Sequence, residues 1–357
     1  VTAISPASPA LRLVTPEVLR LGYVPLADAA PLIIADALGL FAEQGLRVAL
    51  SPERSWAALR DKLAFGGLDA AHMLGPLAIA LALGADGIRR RLTVLASLAR
   101  NGNTLTLSPA LAVDGGAADL ASRLRQRAEA GMPPPTLAVV YPWSSHNYLL
   151  RHALAAGGLD PDREARLVVV PPALVARALA EGEIEGFCAG EPWGSAAEGQ
   201  GAGRILLGTG AIWPRHPEKV LALAEGVAER DPDLAIAATG AIIAAALWLA
   251  DPANHPAAAE LLRERAFPGL PHAVIARALD PASPAGLSFG ETCPHPEEAA
   301  WWLGAMRRWG HVPRDADQAT ALAPWRPDLW QEAARQLGAP APLPPSLPPF
   351  QPEEPFR

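Results

Sequence analysis

Residues 139–193 constrain the fold of this chain more than any other stretch. They read strand, turn, helix, strand, helix, strand, turn, which is two βαβ units in succession. Both strand-to-helix turns place polar groups where a helix opens. YPWSSHN puts Ser144, Ser145 and His146 there, and CAGEPW does the same with Gly190 and Glu191. Unpaired backbone N–H groups and the helix dipole both favour anions at such openings. Every α/β protein has turns of this kind, so they say where to look and not what binds.

A chain of 357 residues that is 50% hydrophobic holds two domains, or one discontinuous pair, around ample core. The net charge of −7 argues against a nucleic-acid surface, and no basic run or RNA-reading motif is present. Cys188 and Cys293 are too few and too isolated for a metal cluster or a disulfide framework. Cys188 falls in a predicted buried strand and reads as inert core. Residues 234–250 are the one candidate membrane span. They are Ala-rich, shorter than the ~20 residues a span needs and bounded by Asp233 and Asp251, so a buried helix is expected and membrane insertion is not. The N-terminal sequence shows no basic segment followed by an apolar one, no lipobox cysteine and no twin arginine. A cytoplasmic chain is expected if its first residue is the true start, and a mature exported one if it is not.

Taken in order, residues 1–18 form a loose arm, 19–26 a strand, 31–45 a helix and 47–51 a strand. Residues 55–67 follow as an amphipathic helix with Ser55 as N-cap. Residues 68–74 are a strand ending near His72, and 75–87 a buried helix. Strands at 91–99 and 103–108 flank an Asn-Gly turn at Asn101 and Gly102. A helix lies within 109–135, and the two βαβ units follow. The strand at 204–208 returns the chain to the first domain, and helices are expected at 231–251, 255–266, 272–280, 295–310 and 327–337. Residues 339–357 are a proline-rich tail that does not pack as regular structure. The expected architecture is α/β, with mostly parallel sheets in two lobes: 19–107 with 207–338, and an inserted 108–206. Ligands bind beyond the carboxyl ends of such strands, where Trp56, Asn103, His146, Gly190 and Lys219 all fall.

Catalytic signatures are missing. There is no nucleophile elbow, phosphate loop, zinc-protease helix or dinucleotide fingerprint. The carboxylates are scattered, and His146 and His152 face different sides of a helix. The chain reads as a binding protein with no catalytic residue, no metal and no cofactor.

Several strings carry a specific resemblance. LGYVPLADAAPLIIADALGLFAEQGL, SWAALRDKLAFGGLDAAHMLGPL, NGNTLTLS, YPWSSHNYLLRHALAAGGLDP, FCAGEPW, IWPRHPEKVLA and WWLGAMRRWG resemble the nitrate- and bicarbonate-binding proteins of cyanobacterial ABC transporters, from about residue 19 to 335. The resemblance implies a two-lobed clamp of the periplasmic-binding-protein type II, with its ligand cleft between the lobes. It implies that Trp56, Asn103, His146, Gly190 and Lys219 line an oxyanion. The family often has glutamine where Asn103 stands. The bicarbonate branch has an acidic residue at the lysine position, so Lys219 favours nitrate or nitrite by charge. A cytoplasmic branch of the group, the NasS type, senses nitrate or nitrite and controls an ANTAR-type RNA-binding antiterminator of the NasT type, without itself touching nucleic acid. The missing leader points to that branch. A periplasmic nitrate-binding transport component is the alternative. An enzyme on a small nitrogenous substrate, using Cys188 or a cleft histidine, is the third reading.

Each site residue also has a plainer role. Trp56 at a helix start packs in many proteins, His146 can be a satisfied turn histidine, and Gly190 can serve a tight turn. Lys219 would ordinarily be solvated. His72 reads as a satisfied strand-end histidine, Glu191 as a helix N-terminal carboxylate, and Trp301, Trp302, Trp309 and Met306 as packing. The helix bearing them, or the proline-rich tail, is where a protein partner would dock.

Overall fold

The computed structural model describes residues 18–348; most of the expected N-terminal arm and the end of the proline-rich tail lie outside them. The strands run in chain order as β1 (Leu19–Tyr23), β2 (Val48–Pro52), β3 (Ala70–Leu74), β4 (Thr93–Ser97), β5 (Arg100–Asn101) and β6 (Asn103–Leu107). They continue as β7 (Thr136–Val139), β8 (Arg166–Val169), β9 (Gly186–Gly190), β10 (Arg204–Gly208), β11 (Lys219–Leu223) and β12 (Leu287–Ser288). Ten of them build two five-stranded sheets, ordered β2-β1-β3-β11-β4 and β10-β6-β9-β7-β8, and β12 pairs with β5. Each sheet is the centre of one lobe.

The helices form where apolar periodicity and end signals agree. Ser55 caps Trp56–Ala64 by accepting from the Ala58 N–H at 3.2 Å, and Ser144 caps Ser145–Ala156 by accepting from Asn147 N–H at 3.1 Å. The expected helix over 31–45 is split: Ala30–Ala37 and Leu40–Glu43 are separated by Gly39 in the left-handed conformation. Pro232–Ala250 is long and apolar enough to cross a membrane, but its Leu234, Ala238, Ile242, Ala245 and Leu249 are buried in the first-lobe core against Ala30–Ala37 and Pro327–Leu337. Trp301, Trp302 and Met306 are buried as expected, the two tryptophan rings lying tilted against Trp213 at centroid separations of 4.6 and 5.0 Å, whereas Trp309 is only half-buried at the helix end.

Three expectations change. The sheets are mixed. β1, β2 and β3 are parallel, as are β7, β8 and β9, but β11 runs antiparallel to β3 and β4, and β6 antiparallel to β9 and β10. The strands that arrive from the other lobe, β6 and β11, enter each sheet at the carboxyl ends of its parallel strands, which forces the antiparallel direction. The lobe crossings also move. β6 and β10 both belong to the second sheet, so the chain leaves the first lobe near residue 100 and returns after residue 208, outside the expected 108–206. Finally, Asn101 and Gly102 take the expected positive φ values, 58° and 85°, yet β4 and β6 do not form a hairpin. The turn passes the chain from one sheet to the other.

The tail at 339–348 has neither helix nor strand, as expected, but it is held down. The Ser346 N–H donates to Glu298 Oε1 and its hydroxyl to the Pro214 carbonyl, both at 2.8 Å, and Pro348 is buried.

Candidate functional site

The two sheets present matching corners to each other. In the first lobe, β11 begins at Lys219, opposite Leu74 at the carboxyl end of β3. In the second, β6 begins at Asn103, opposite Gly190 at the carboxyl end of β9. The register of each antiparallel pair therefore delivers one polar residue to the strand-end position where α/β sheets bind ligands. The loops supply the rest. Asp28 sits in the 3-10 turn Ala27–Ala29 after β1, Trp56 opens the helix after β2, and His146 lies in the first turn of the helix after β7.

Lys219 is the hub and is fully buried. Its Nζ lies 2.6 Å from Asp28 Oδ2 and 2.6 Å from Glu218 Oε2. It lies 3.3 Å from His146 Nε2 and 3.4 Å from Asn103 Oδ1, both across the cleft. Gly190 faces the same atom: a β-carbon built there would stand 3.5 Å from Lys219 Nζ and 3.4 Å from Asn103 Oδ1. Trp56 joins through His72, at a ring separation of 5.3 Å, and His72 Nε2 lies 3.0 Å from Asp28 Oδ1. All five residues expected at the site are thus brought to one place.

Sequence reasoning missed the two carboxylates. Asp28 stands just past the end of β1, the position that drew attention to the other residues, and Glu218 stands inside the HPEK string beside the lysine. Glu218 ties the cluster together. It accepts from Asn103 Nδ2 at 2.5 Å and from the Ser145 hydroxyl at 2.9 Å, and lies 3.0 Å from His216 Nδ1. The expected preference for nitrate by the charge of Lys219 alone is therefore too simple, because two acidic residues share the pocket with the lysine.

The electrostatics follow from burial and pairing. Burial favours a neutral Lys219 amine, but Asp28 and Glu218 outweigh it and hold the pKa above the ordinary lysine value. Burial likewise opposes both carboxylates; Lys219 with His72 keeps Asp28 below its ordinary value, and Lys219 with His216 keeps Glu218 below its own. Burial, helped by Lys219, pushes His146 down to about 3, and burial lowers His72 despite Asp28. His146 is therefore neutral, and because its Nε2 faces an ammonium, that nitrogen accepts and Nδ1 carries the hydrogen. His146 Nδ1 and Trp56 Nε1 are both buried without a hydrogen-bond partner. An unmet buried donor costs about 1–3 kcal/mol, so these two N–H groups are the ones an acceptor oxygen entering the cleft could satisfy.

Other expectations resolve plainly. Glu191 caps the helix Trp193–Gly199, accepting from the Ser195 N–H at 3.2 Å and its hydroxyl at 3.1 Å, and burial raises it to about 7. Cys188 is buried in β9 and its thiol is pushed far up by burial, so it is no ready nucleophile. Among the described residues, no group of three or more His, Cys, Asp or Glu side chains is placed to hold a metal ion.

The comparisons with known proteins agree with this geometry. The NMT1-like family profile matches residues 14–263. The chain is 36% identical over 332 residues to the bicarbonate transport ATP-binding protein CmpC of Synechococcus elongatus, covering 90% of this chain and 50% of that protein. It therefore spans about half the length of this relative. It is 32% identical over 365 residues to the nitrate/nitrite binding protein NrtA of Synechocystis, covering 93% of this chain and 80% of NrtA. The crystal structure of the periplasmic nitrate-binding protein NrtA from Synechocystis superposes with a TM-score of 0.84 at 29% identity, covering 91% of this chain and 90% of that one. The alkanesulfonate-binding protein SsuA from Xanthomonas axonopodis shares the fold, with a TM-score of 0.67 at 19% identity, over 87% of this chain and 98% of that one. These relatives are named for binding and transport. With a two-lobed clamp and a buried polar cleft at its strand ends, the chain belongs to the NMT1-like family, among the nitrate- and bicarbonate-binding solute-binding proteins.

Proposed function

We propose that this protein binds nitrate or nitrite between its lobes. The observation that carries the reading is the fully buried Lys219, together with two buried N–H donors of the expected site residues that lack partners, Trp56 Nε1 and His146 Nδ1. A small planar oxyanion offers three or fewer oxygens and no hydrogen to donate, which suits an ammonium, an indole N–H, an imidazole N–H and the open face of Gly190. Ser145 and His146 stand at the opening of a twelve-residue helix, whose dipole adds favourable potential there.

The binding supports two uses. In the first, the protein is a cytoplasmic sensor: the unliganded form holds an ANTAR-type RNA-binding antiterminator inactive, and the anion closes the clamp and releases it. In the second, the protein delivers the anion to a membrane transporter. The relatives named nitrate/nitrite binding proteins support that use at least as well.

Calorimetric titration with nitrate, nitrite and bicarbonate, beside co-purification of the antiterminator with and without nitrate, tests both levels. Heat from nitrate or nitrite but not bicarbonate is expected; no heat from either nitrogen oxyanion overturns the ligand assignment. Release of the partner by nitrate is expected of the sensor, and unchanged association rejects it, because a ligand of equal affinity for both forms shifts nothing.

A further inference from the structure

The lobes meet a second time, away from the Lys219 cluster. In the first lobe, Arg60 of the helix Trp56–Ala64 pairs with Asp86, in the loop after the helix Gly75–Leu83. The second lobe reaches that pair with two side chains of the loop after β7. The Tyr141 hydroxyl accepts from Arg60 Nη1 at 2.7 Å and donates to Asp86 Oδ2 at 3.1 Å. The Trp143 indole donates to Asp86 Oδ1 at 2.8 Å. Tyr141 and Trp143 are both buried, and the Trp143 ring lies edge-on to His311 at a centroid separation of 5.4 Å. Among the described residues, none of these four side chains is a hydrogen-bond or ion-pair partner of Lys219, Asp28 or Glu218.

The same loop runs on into Ser145 and His146, and it is braced. The Ser144 hydroxyl donates to the Tyr141 carbonyl at 2.6 Å and accepts from the Asn147 N–H at 3.1 Å. Asn147 Nδ2 donates to the Pro142 carbonyl at 2.7 Å. A turn tied at both ends moves as one piece. Holding Tyr141 and Trp143 therefore also holds Ser145 against Glu218 and His146 against Lys219.

We propose that Arg60, Asp86, Tyr141 and Trp143 form a closure latch, which touches no anion but sets how long the closed clamp retains one. This goes beyond the oxyanion reading and rests on it. Hydrogen bonds to a charged group are stronger than those between neutral groups, and the three made by Tyr141 and Trp143 all span the lobes. On opening, Asp86 keeps Arg60 while Tyr141 and Trp143 turn to water, so no buried charge is stranded. A closed cleft without an anion leaves Trp56 Nε1 and His146 Nδ1 unmet, which favours the open form until the anion arrives. The latch then stabilises the closed, liganded state, and its loss shows in release and not in capture.

The test is stopped-flow indole fluorescence of the full chain with sodium nitrate and sodium nitrite, beside calorimetric titration of each. Tyr141→Phe removes the hydroxyl and leaves the ring, the Arg60–Asp86 pair and every tryptophan in place. It should raise the release rate about tenfold, with the capture rate changed by less than about twofold. Because no latch group touches the ligand, nitrate and nitrite should weaken by the same factor. Trp143→Phe should raise the release rate in the same way, and carries the test should Tyr141→Phe fail to fold. Release unchanged in both variants makes these residues ordinary packing, which overturns the latch and leaves the oxyanion reading intact. Slower capture, or a changed preference between the two anions, marks a distorted site and overturns the latch as well. No binding of either anion by the parent protein overturns both.

Discussion

At the scale of single residues, Lys219 shows how far a charge can be read from its type alone. Its ammonium is shared between Asp28 and Glu218, so it does not stand as a free cation awaiting an anion. It organises a buried network whose remaining donors, Trp56 Nε1 and His146 Nδ1, are the ones left to bind. Removing one partner from such a network strands the others, at a cost of about 3–5 kcal/mol. Lysine variants therefore confuse folding with binding, and Gly190 is the cleaner probe. Its added β-carbon would meet Leu26 Cδ2 at 3.2 Å, Asn103 Oδ1 at 3.4 Å and Lys219 Nζ at 3.5 Å, all ends of side chains that can yield. Gly190→Ala should weaken nitrate binding at least about tenfold, roughly 1.4 kcal/mol, while urea unfolding midpoints stay close to those of the parent. A large stability loss with unchanged affinity would make Gly190 a packing residue only.

At the scale of elements, Asn101 and Gly102 mark the point where the chain changes sheets. Gly102 needs its positive φ of 85°, and a β-carbon there would come within 2.2 Å of Leu287 Cδ2. Gly102→Ala should destabilise the protein by about 1–3 kcal/mol, from backbone strain and overpacking together, measured by urea unfolding. A change below about 0.5 kcal/mol would mean that the crossing tolerates rearrangement. This dipeptide also shows what the sequence could and could not reveal. Its local conformation was legible, because Asn-Gly favours positive φ in any context. Its partner was not, because the apolar alternation of 103–107 looks the same whether that strand folds back on β4 or crosses to β9. The helix after β2 was legible from Ser55, whose capping acts within a few residues. The site residues came through strand-end position and family likeness. Asp28 and Glu218 were hidden because a carboxylate in a loop usually faces water, and only the closed tertiary structure shows both turned inward.

At the scale of the whole molecule, the lobes meet as a closed clamp. The Ala27 N–H donates to the Glu191 carbonyl at 2.7 Å, and Trp193 Nε1 donates to the Pro25 carbonyl at 3.2 Å. Trp143 Nε1 reaches Asp86 across the opposite side at 2.8 Å. The contacts between Lys219 and His146 and between Glu218 and Ser145 lie in the same seam, so ligand and closure act on one set of residues. An anion that bridges both halves of the hub binds the closed form better than the open one, which is the condition for any downstream partner to read its presence. The most direct measurement is a crystal structure of the protein grown with nitrate or nitrite. The account predicts planar density enclosed between the lobes, with oxygens about 3 Å from Lys219 Nζ and Trp56 Nε1. A cleft filled by water alone, or an anion bound elsewhere with the hub unchanged, would contradict it.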